Sequence, residues 1–336
     1  MSDLLLWSDR EAVEALASRF ITNTQQSARS DNTSAAYESD WRQWVAWLAR
    51  TGTPMPDSHA AVVVALGRYL EDTRDILTAS TLRRRVAGIR SGLLDRGLPW
   101  PEFPARRDPF QQYVDQVARE QARGRTASPA VTEGLLRQMV ECTTDDPSGH
   151  RDRAVVLVGF LGALRRSEIS RLDLADLDFR PEGVIVHIRR SKTDQTARGR
   201  RVSIPLRRHP RTCAVRALED WIGDRGSAPG PLFTSLRKGR PNRPDVLDGD
   251  GSYCYRMDAA VVNQIVQRLA NAAGDARPYT AHSLRSGFVT ETKKRGADSH
   301  DIKLQTGHRS LDSVEGYTQD EGGFGPNNPV HLLTGL

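Results

Sequence analysis

The chain has 336 residues, 38% of them apolar and 27% charged, with 48 Lys and Arg against 42 Asp and Glu for a net charge of +6. That length suffices for two domains, each burying its own core, and the cationic excess favours an anionic partner such as nucleic acid. Cys142, Cys213 and Cys254 are scattered, with no C-x-x-C, which excludes a disulfide framework and a zinc site. The first ten residues are too poor in apolar side chains for a signal peptide, and the longest apolar run, 154–164, is shorter than the ~18 residues of a membrane span. A cytoplasmic protein in a reducing compartment, with no membrane partner, is expected.

In chain order, Ser8 to Glu11 forms a capping box ahead of a short helix carrying Val13, Leu16 and Phe20. Residues 22–33 are polar and predict a loop. Tyr37, Trp41, Trp44 and Leu48 make the apolar stripe of a stronger helix stopped at Gly52. Asp57 or Ser58 caps the next, with Val62, Leu66 and Tyr69 inward. A fourth helix starts near Thr78 to Ser80, with Leu82, Val86, Ile89 and Leu93 facing the core. Its other face carries Arg83, Arg84, Arg85 and Arg90, with no acid between Leu82 and Leu94. Soluble helices ordinarily mix signs, so this face is expected to contact a phosphate backbone. Asp108-Pro109 opens a fifth helix with Phe110, Val114 and Val117 inward.

Periodicity breaks at 123–130, a stretch of arginine, small residues and proline read as an interdomain linker. Residues 1–122 are therefore expected as an all-helical domain and 131–336 as a second domain with the C-terminal tail. A helix around Leu135 to Val140 opens the second domain, followed by an apolar, centrally buried helix from Asp152 to Leu164. That helix leads into Arg165-Arg166-Ser167-Glu168, where an Arg165–Glu168 pair at i,i+3 is worth little if exposed. Gly183 to Arg190 alternates as a strand, Arg201 to Pro205 pairs with it, and the polar connection between them presents Lys192. Pro210 begins a helix running through Trp221, and 226–251 is loop with a short strand at Leu232-Phe233. Asp248-Gly-Asp-Gly251 is too incomplete for a calcium loop. Asp258 caps a helix with Val262, Ile265, Val266 and Leu269 inward.

The last fifth carries the chemistry. His282 and Arg285 sit one helical turn apart and share a face. His308 lies in a turn between two helical patterns, nine residues before Tyr317. Phosphate-loop, dinucleotide and zinc-protease motifs are absent, as are clustered carboxylates of the two-metal type, so no cofactor and no metal are expected. The remaining set of guanidinium, imidazole and phenol groups fits attack on a phosphodiester. Guanidinium groups match the non-bridging oxygens as charge builds there. A phenol of pKa ~10 needs a basic neighbour and a cationic field to attack near neutrality, and a histidine can be that neighbour. A lysine near the strand tip could donate a proton to the leaving alkoxide.

These residues resemble the tyrosine recombinases, the phage integrase family. Gly162-Ala-Leu-Arg165-Arg-Ser-Glu168-Ile is similar to that family's first-arginine box, with Glu168 as the acidic companion of Arg165. Lys192 in Arg190-Ser-Lys-Thr matches the hairpin lysine, His282-Ser-Leu-Arg285 the H-x-x-R box, and Gly307-His308 with Tyr317 the last histidine and the nucleophile. Any one match is weak, but five in order are specific, and the likeness extends loosely through the N-terminal helices. Ser286, where many relatives carry histidine, and Gln319 are the departures.

The resemblance implies a mainly α fold: an all-helical core-binding domain that clamps DNA, then an α-rich catalytic domain with a small antiparallel β-sheet. It implies a site-specific recombinase that cleaves and rejoins double-stranded DNA through a 3′-phosphotyrosyl link, without metal. Tyr317 would attack, Arg165, Arg285 and His308 hold the phosphate, His282 handle the tyrosine proton, and Lys192 protonate the 5′-oxygen. Strand exchange would need a homo-tetramer on DNA, accessory DNA-binding proteins are possible partners, and the apolar 329–336 tail would dock on a neighbouring subunit. The length suggests a simple two-domain recombinase with no preceding arm-binding domain. The rival readings are a catalytically silent recombinase-like DNA-binding factor and a type IB-like topoisomerase relaxing duplexes without site preference.

Overall fold

The computed structural model describes residues 31–103, 108–121, 128–189, 199–308 and 310. The helix expected from Ser8, the loop with Lys192, Tyr317 and the tail lie outside these residues. The chain divides into two compact units, Met1–Thr126 and Ala127–Leu336. No helix among the described residues is long and apolar enough to cross a membrane.

The described part of the first unit is helical: α1 (Asp31–Thr51), α2 (His59–Thr73), α3 (Ala79–Leu94) and α4 (Pro109–Gln121). Ser58 caps α2 by accepting from the Ala61 N–H at 3.3 Å, and Thr78 caps α3 by accepting from Thr81 at 3.3 Å. Trp41, Trp44, Trp47 and Leu48 of α1 are buried with Val62, Leu66 and Tyr69 of α2 and Leu82, Ile89 and Leu93 of α3. Gly92 lets α1 and α3 approach closely, since a Cβ there would lie 2.1 Å from the Trp41 ring.

The second unit is built around one buried helix. Helix α5 (Glu133–Glu141), capped by Thr132, precedes it. Helix α6 runs Pro147–Leu161 and so begins five residues before the expected Asp152. Asp146 caps it, accepting from the Ser148 and Gly149 N–H groups at 2.9 Å each, with Pro147 in the first turn. Pro147, Ser148 and Gly149 carry no apolar period, which hid this turn in the sequence. Arg151, Asp152 and Arg153 are buried, and Asp152 is ion-paired with Arg151 and with Arg268. Ala154 to Val158 are wholly buried.

A tight turn separates α6 from α7 (Arg166–Arg171), where the sequence reading ran the helix on to Leu164. The Leu164 N–H donates to the Gly159 carbonyl and the Ala163 N–H to the Phe160 carbonyl, both at 3.0 Å, the two bonds of a Schellman cap. Its left-handed position is held by Ala163, φ 48°, where glycine is usual.

Next comes a three-stranded antiparallel sheet in the order β1 (Leu177–Arg180), β2 (Gly183–Ile188), β3 (Arg200–Pro205). The β2–β3 hairpin is the expected one, with Ile188 opposite Arg200; β1 is an addition. Pro210–Thr212 is a 3-10 turn leading to α8 (Ala214–Arg225). Arg225 then organises the following loop, donating to the carbonyls of Gly226, Ala228, Gly230 and Pro231 at 2.7 to 3.1 Å. Leu232 and Phe233 are buried core residues, and the short hairpin falls after them, at β4 (Leu236–Arg237) and β5 (Arg240–Pro241). Helices α9 (Ala259–Ala272), α10 (Ala281–Lys294) and α11 (Ser299–Thr306) complete the described unit.

Candidate active site

Three chain segments bring charged groups together in the second unit. The first is the α6–α7 turn. Glu168 faces inward, its side chain 2% exposed, so its pairing with Arg165 differs from a surface i,i+3 contact. Its Oε1 accepts from Arg165 Nη1 at 2.7 Å, and its Oε2 accepts from the Arg165 backbone N–H at 3.0 Å and from Arg200 Nη2 at 2.8 Å. Burial alone would raise the pKa of this carboxyl, but Arg200, the Arg165 N–H and the Arg165 guanidinium outweigh it and hold the group ionised.

The second segment is the start of α10. Thr280 caps it, His282 occupies its first turn, and Arg285 follows one turn later. Arg285 is 2% exposed, and its Nη1 donates to the Ala163 carbonyl at 2.6 Å, which joins α10 to the Schellman turn just before Arg165. His282 is exposed on the α10 surface. Desolvation, followed by the charges of Arg285 and Arg165, nevertheless lowers its pKa.

The third segment is the end of α11. Gly307 caps it at φ 68°, and His308 follows. The Thr306 hydroxyl donates to the Ile302 carbonyl at 2.7 Å, so at 2.8 Å from His308 Nδ1 it acts as acceptor and assigns the proton to Nδ1. Nε2 is then the basic atom. Desolvation and the charges of Arg285, Arg165, His282 and Arg200 push the His308 pKa down to about 4. Arg165, Arg285, His282 and His308 therefore share one electrostatic neighbourhood, in which both imidazoles are neutral near pH 7. Two guanidinium groups beside two neutral imidazoles make a neighbourhood suited to a phosphate.

The depressed His308 pKa has a consequence for stability. Between its ordinary value of 6.5 and about 4, the unfolded chain binds a proton that the folded chain refuses. Stability should therefore fall as pH drops through that window, with the whole loss reached below about 4. Denaturant unfolding at a series of pH values should show a shallower decline in His308→Asn than in the parent.

Arg200 is the site residue that the sequence reading missed, because the second strand was started one residue late and Arg200 was left in the basic loop. Period-2 alternation carries the signal: Arg200 shares a face with the buried Val202 and Ile204. Lys192 and Tyr317 lie outside the described residues; β2 and β3 flank the connection that contains Lys192.

The arginine face expected in the first unit is altered. Arg85 points inward, 5% exposed, and its Nε pairs with the fully buried Asp40 at 3.1 Å. Its Nη1 also donates to the Tyr69 hydroxyl at 3.0 Å. Helical geometry accounts for this, since Arg85 lies three residues from Leu82 and four from Ile89, on the core side. Arg83, Arg84 and Arg90 are exposed: Arg83 pairs with Asp115 at 2.6 Å, Arg84 with Asp40 at 2.9 Å, and the Arg90 guanidinium lies 5.7 Å from the Trp100 ring centroid. Arg85→Ala should destabilise the unit by about 1–3 kcal/mol, because one oxygen of the buried Asp40 carboxylate loses its partner while Arg84 keeps the other. Arg90→Ala should leave stability within ~0.5 kcal/mol. Thermal unfolding of the two variants checks the contrast.

Comparison with known proteins bears on the family and the fold. The Phage integrase family pattern matches residues 130–322. The chain is 31% identical over 305 residues to an integrase/recombinase xerD homolog of Selenomonas ruminantium, covering 90% of this chain and 85% of that protein. It is 28% identical over 297 residues to the tyrosine recombinase XerC of Pelobacter propionicus, covering 86% and 85%. In fold it is similar to the Tn1549 transposon integrase in complex with transposon right end DNA, with TM-score 0.57 at 16% identity over 86% of this chain and 89% of that one. It is also similar to a lambda integrase dimer bound to a core site, with TM-score 0.55 at 15% identity over 92% and 96%. The mainly helical fold with a small antiparallel sheet is thus that of known integrases, and the chain belongs to the phage integrase family, the tyrosine recombinases.

Proposed function

We propose that this chain is a site-specific DNA recombinase that exchanges strands between two DNA sites through a covalent phosphotyrosine. The carrying observation is the convergence of Arg165, Arg285, His282 and His308 from three chain segments into one cationic neighbourhood. Tyr317 Oη attacks the scissile phosphorus and the bond to the 5′-oxygen breaks, leaving a 3′-phosphotyrosyl link and a free 5′-hydroxyl. The phenol proton passes to His282, which is neutral near pH 7, and Lys192 protonates the departing oxygen. Arg165 and Arg285 meet the charge that builds on the non-bridging oxygens. A bound phosphate raises the His308 pKa from about 4, so that Nε2 takes a proton and donates it in a hydrogen bond to the phosphate. The phosphodiester energy is conserved in the tyrosyl ester, so rejoining by the 5′-hydroxyl of a second strand needs neither nucleotide nor metal.

The first unit would act as the core-binding half of a DNA clamp, with Arg83, Arg84 and Arg90 on phosphates and Arg85 in a purely internal role. Four protomers would hold two duplexes. A cavity of about 370 Å³ lined by Leu161, Ile204, Pro205, Phe288 and Ile302 among others supports docking of an apolar 329–336 tail from a neighbouring subunit. Accessory DNA-binding proteins and a cytoplasmic setting complete the reading.

The test is a nicked duplex in which cleavage releases a short 5′-hydroxyl fragment and traps the adduct. Denaturing gels and peptide mapping should place the DNA on Tyr317, with the yield unchanged by a chelator. An adduct on another residue, or none on any recombination site, overturns the mechanism. Relaxation of supercoils without site preference would move the chain to the topoisomerase reading.

A further inference from the structure

Arg200 opens β3 opposite Ile188, and its side chain, 14% exposed, runs inward to two other site-bearing elements. Nη2 donates to Glu168 Oε2 at 2.8 Å, and Nη1 donates to the Gln305 carbonyl at 2.5 Å. The second acceptor belongs to the last turn of α11, where unpaired carbonyls and the helix dipole favour a cation. Two residues further on, a Cβ placed on Gly307 would come within 2.9 Å of Arg200 Cδ and Nε, so the guanidinium stem packs against the turn that carries His308.

A stabilising role alone does not account for this placement. A buried charge loses hydration, and an apolar side chain of similar volume would often stabilise as well. What an apolar side chain cannot do is bind the Glu168 carboxylate and the α11 carbonyl at once. Glu168 has one oxygen on Arg165 Nη1 and shares the other between the Arg165 N–H and Arg200. Arg200 thus stands one carboxylate away from Arg165 and one turn away from His308. It also belongs to the strand that closes the hairpin whose connection contains Lys192.

We propose that Arg200 is a positioning residue for strand cleavage, coupling Arg165, through Glu168, to His308, through the Gln305–Gly307 turn. This rests on the recombinase reading above. Arg200 stays off the phosphate and fixes the separation of two groups that hold it. Without the link, Glu168 remains paired with Arg165 and the His308 turn is free to shift, so DNA still binds but the phosphate is held poorly in the transition state. Small misplacements of this kind are costly to rate.

The full-length chain would be compared with Arg200→Met, Arg200→Lys, His308→Asn and the Arg200→Met/His308→Asn double variant. Single-turnover adduct formation on the nicked duplex is read across protein concentration, and His308 ring titration is read by NMR on DNA-free protein. Arg200→Met should lower the maximal cleavage rate at least tenfold with half-saturation changed less than threefold. The double variant should be markedly faster than the product of the two single effects predicts. Arg200→Lys, which keeps the charge and reaches one acceptor, should recover part of the rate, and it takes the place of the Met variant if that variant does not fold. The His308 titration midpoint should rise when the nearby cation is removed. Cleavage by Arg200→Met at the parent rate, strictly additive effects, or an unmoved His308 titration would each overturn the coupling. Absence of any adduct in the parent chain would instead overturn the recombinase reading, and the titration would still decide whether Arg200 acts on His308.

Discussion

Tyr317→Phe is expected to abolish the covalent adduct while leaving DNA binding within a few-fold of the parent. The substitution removes one oxygen, and that oxygen is the nucleophile of the proposed reaction, so no residual pathway through the same site exists. The cationic neighbourhood of Arg165, Arg285 and the two histidines remains in place, and with it the electrostatic part of binding, which dominates protein–DNA affinity. Gel shift at fixed salt together with adduct trapping separates the two quantities. An adduct that survives the change would show that another residue attacks. Binding lost in parallel with cleavage would show that the phenol contributes to holding DNA.

Arg165→Ala is the second large effect expected, a loss of cleavage of about 10²–10³-fold, or ~3 kcal/mol of transition-state stabilisation, by analogy with removal of one preorganised donor from an anion-stabilising site. Its fold should survive, because Glu168 keeps its 2.8 Å contact with Arg200. Arg285→Ala would be harder to interpret, since Arg285 is wholly interior and satisfies the Ala163 carbonyl, so stability and chemistry would fall together. The rate of adduct formation at saturating protein, set beside the unfolding midpoint, checks the prediction. A rate within threefold of the parent would remove Arg165 from the proposed site.

Local signals made much of this fold legible. Ser58, Thr78 and Asp258 announce helix starts, and each accepts an N–H bond of its helix in the structure. Arg165, Glu168, His282, Arg285 and His308 stand out because their residue types and order are distinctive. The start of α6 escaped because its first turn, with Pro147, Ser148 and Gly149, carries no apolar period. Arg85 and Arg200 were misjudged for a different reason. Composition classes an arginine as exposed, and only its position on the 3.6 or 2.0 period reveals that it points inward. Partners 32 and 105 residues away, as for Arg200 with Glu168 and Gln305, leave no mark on a local window.

The bond from Arg285 to the carbonyl of Ala163 spans 122 positions of the chain. During synthesis the Arg165 turn emerges from the ribosome well before α10, and it has no guanidinium to close on until α10 follows. Long-range closures of this kind come late in folding. On the proposed mechanism, a polypeptide that stops short of α10 lacks Arg285, His308 and the nucleophile Tyr317, so it would carry Arg165 alone of the phosphate-holding groups and could not cleave DNA.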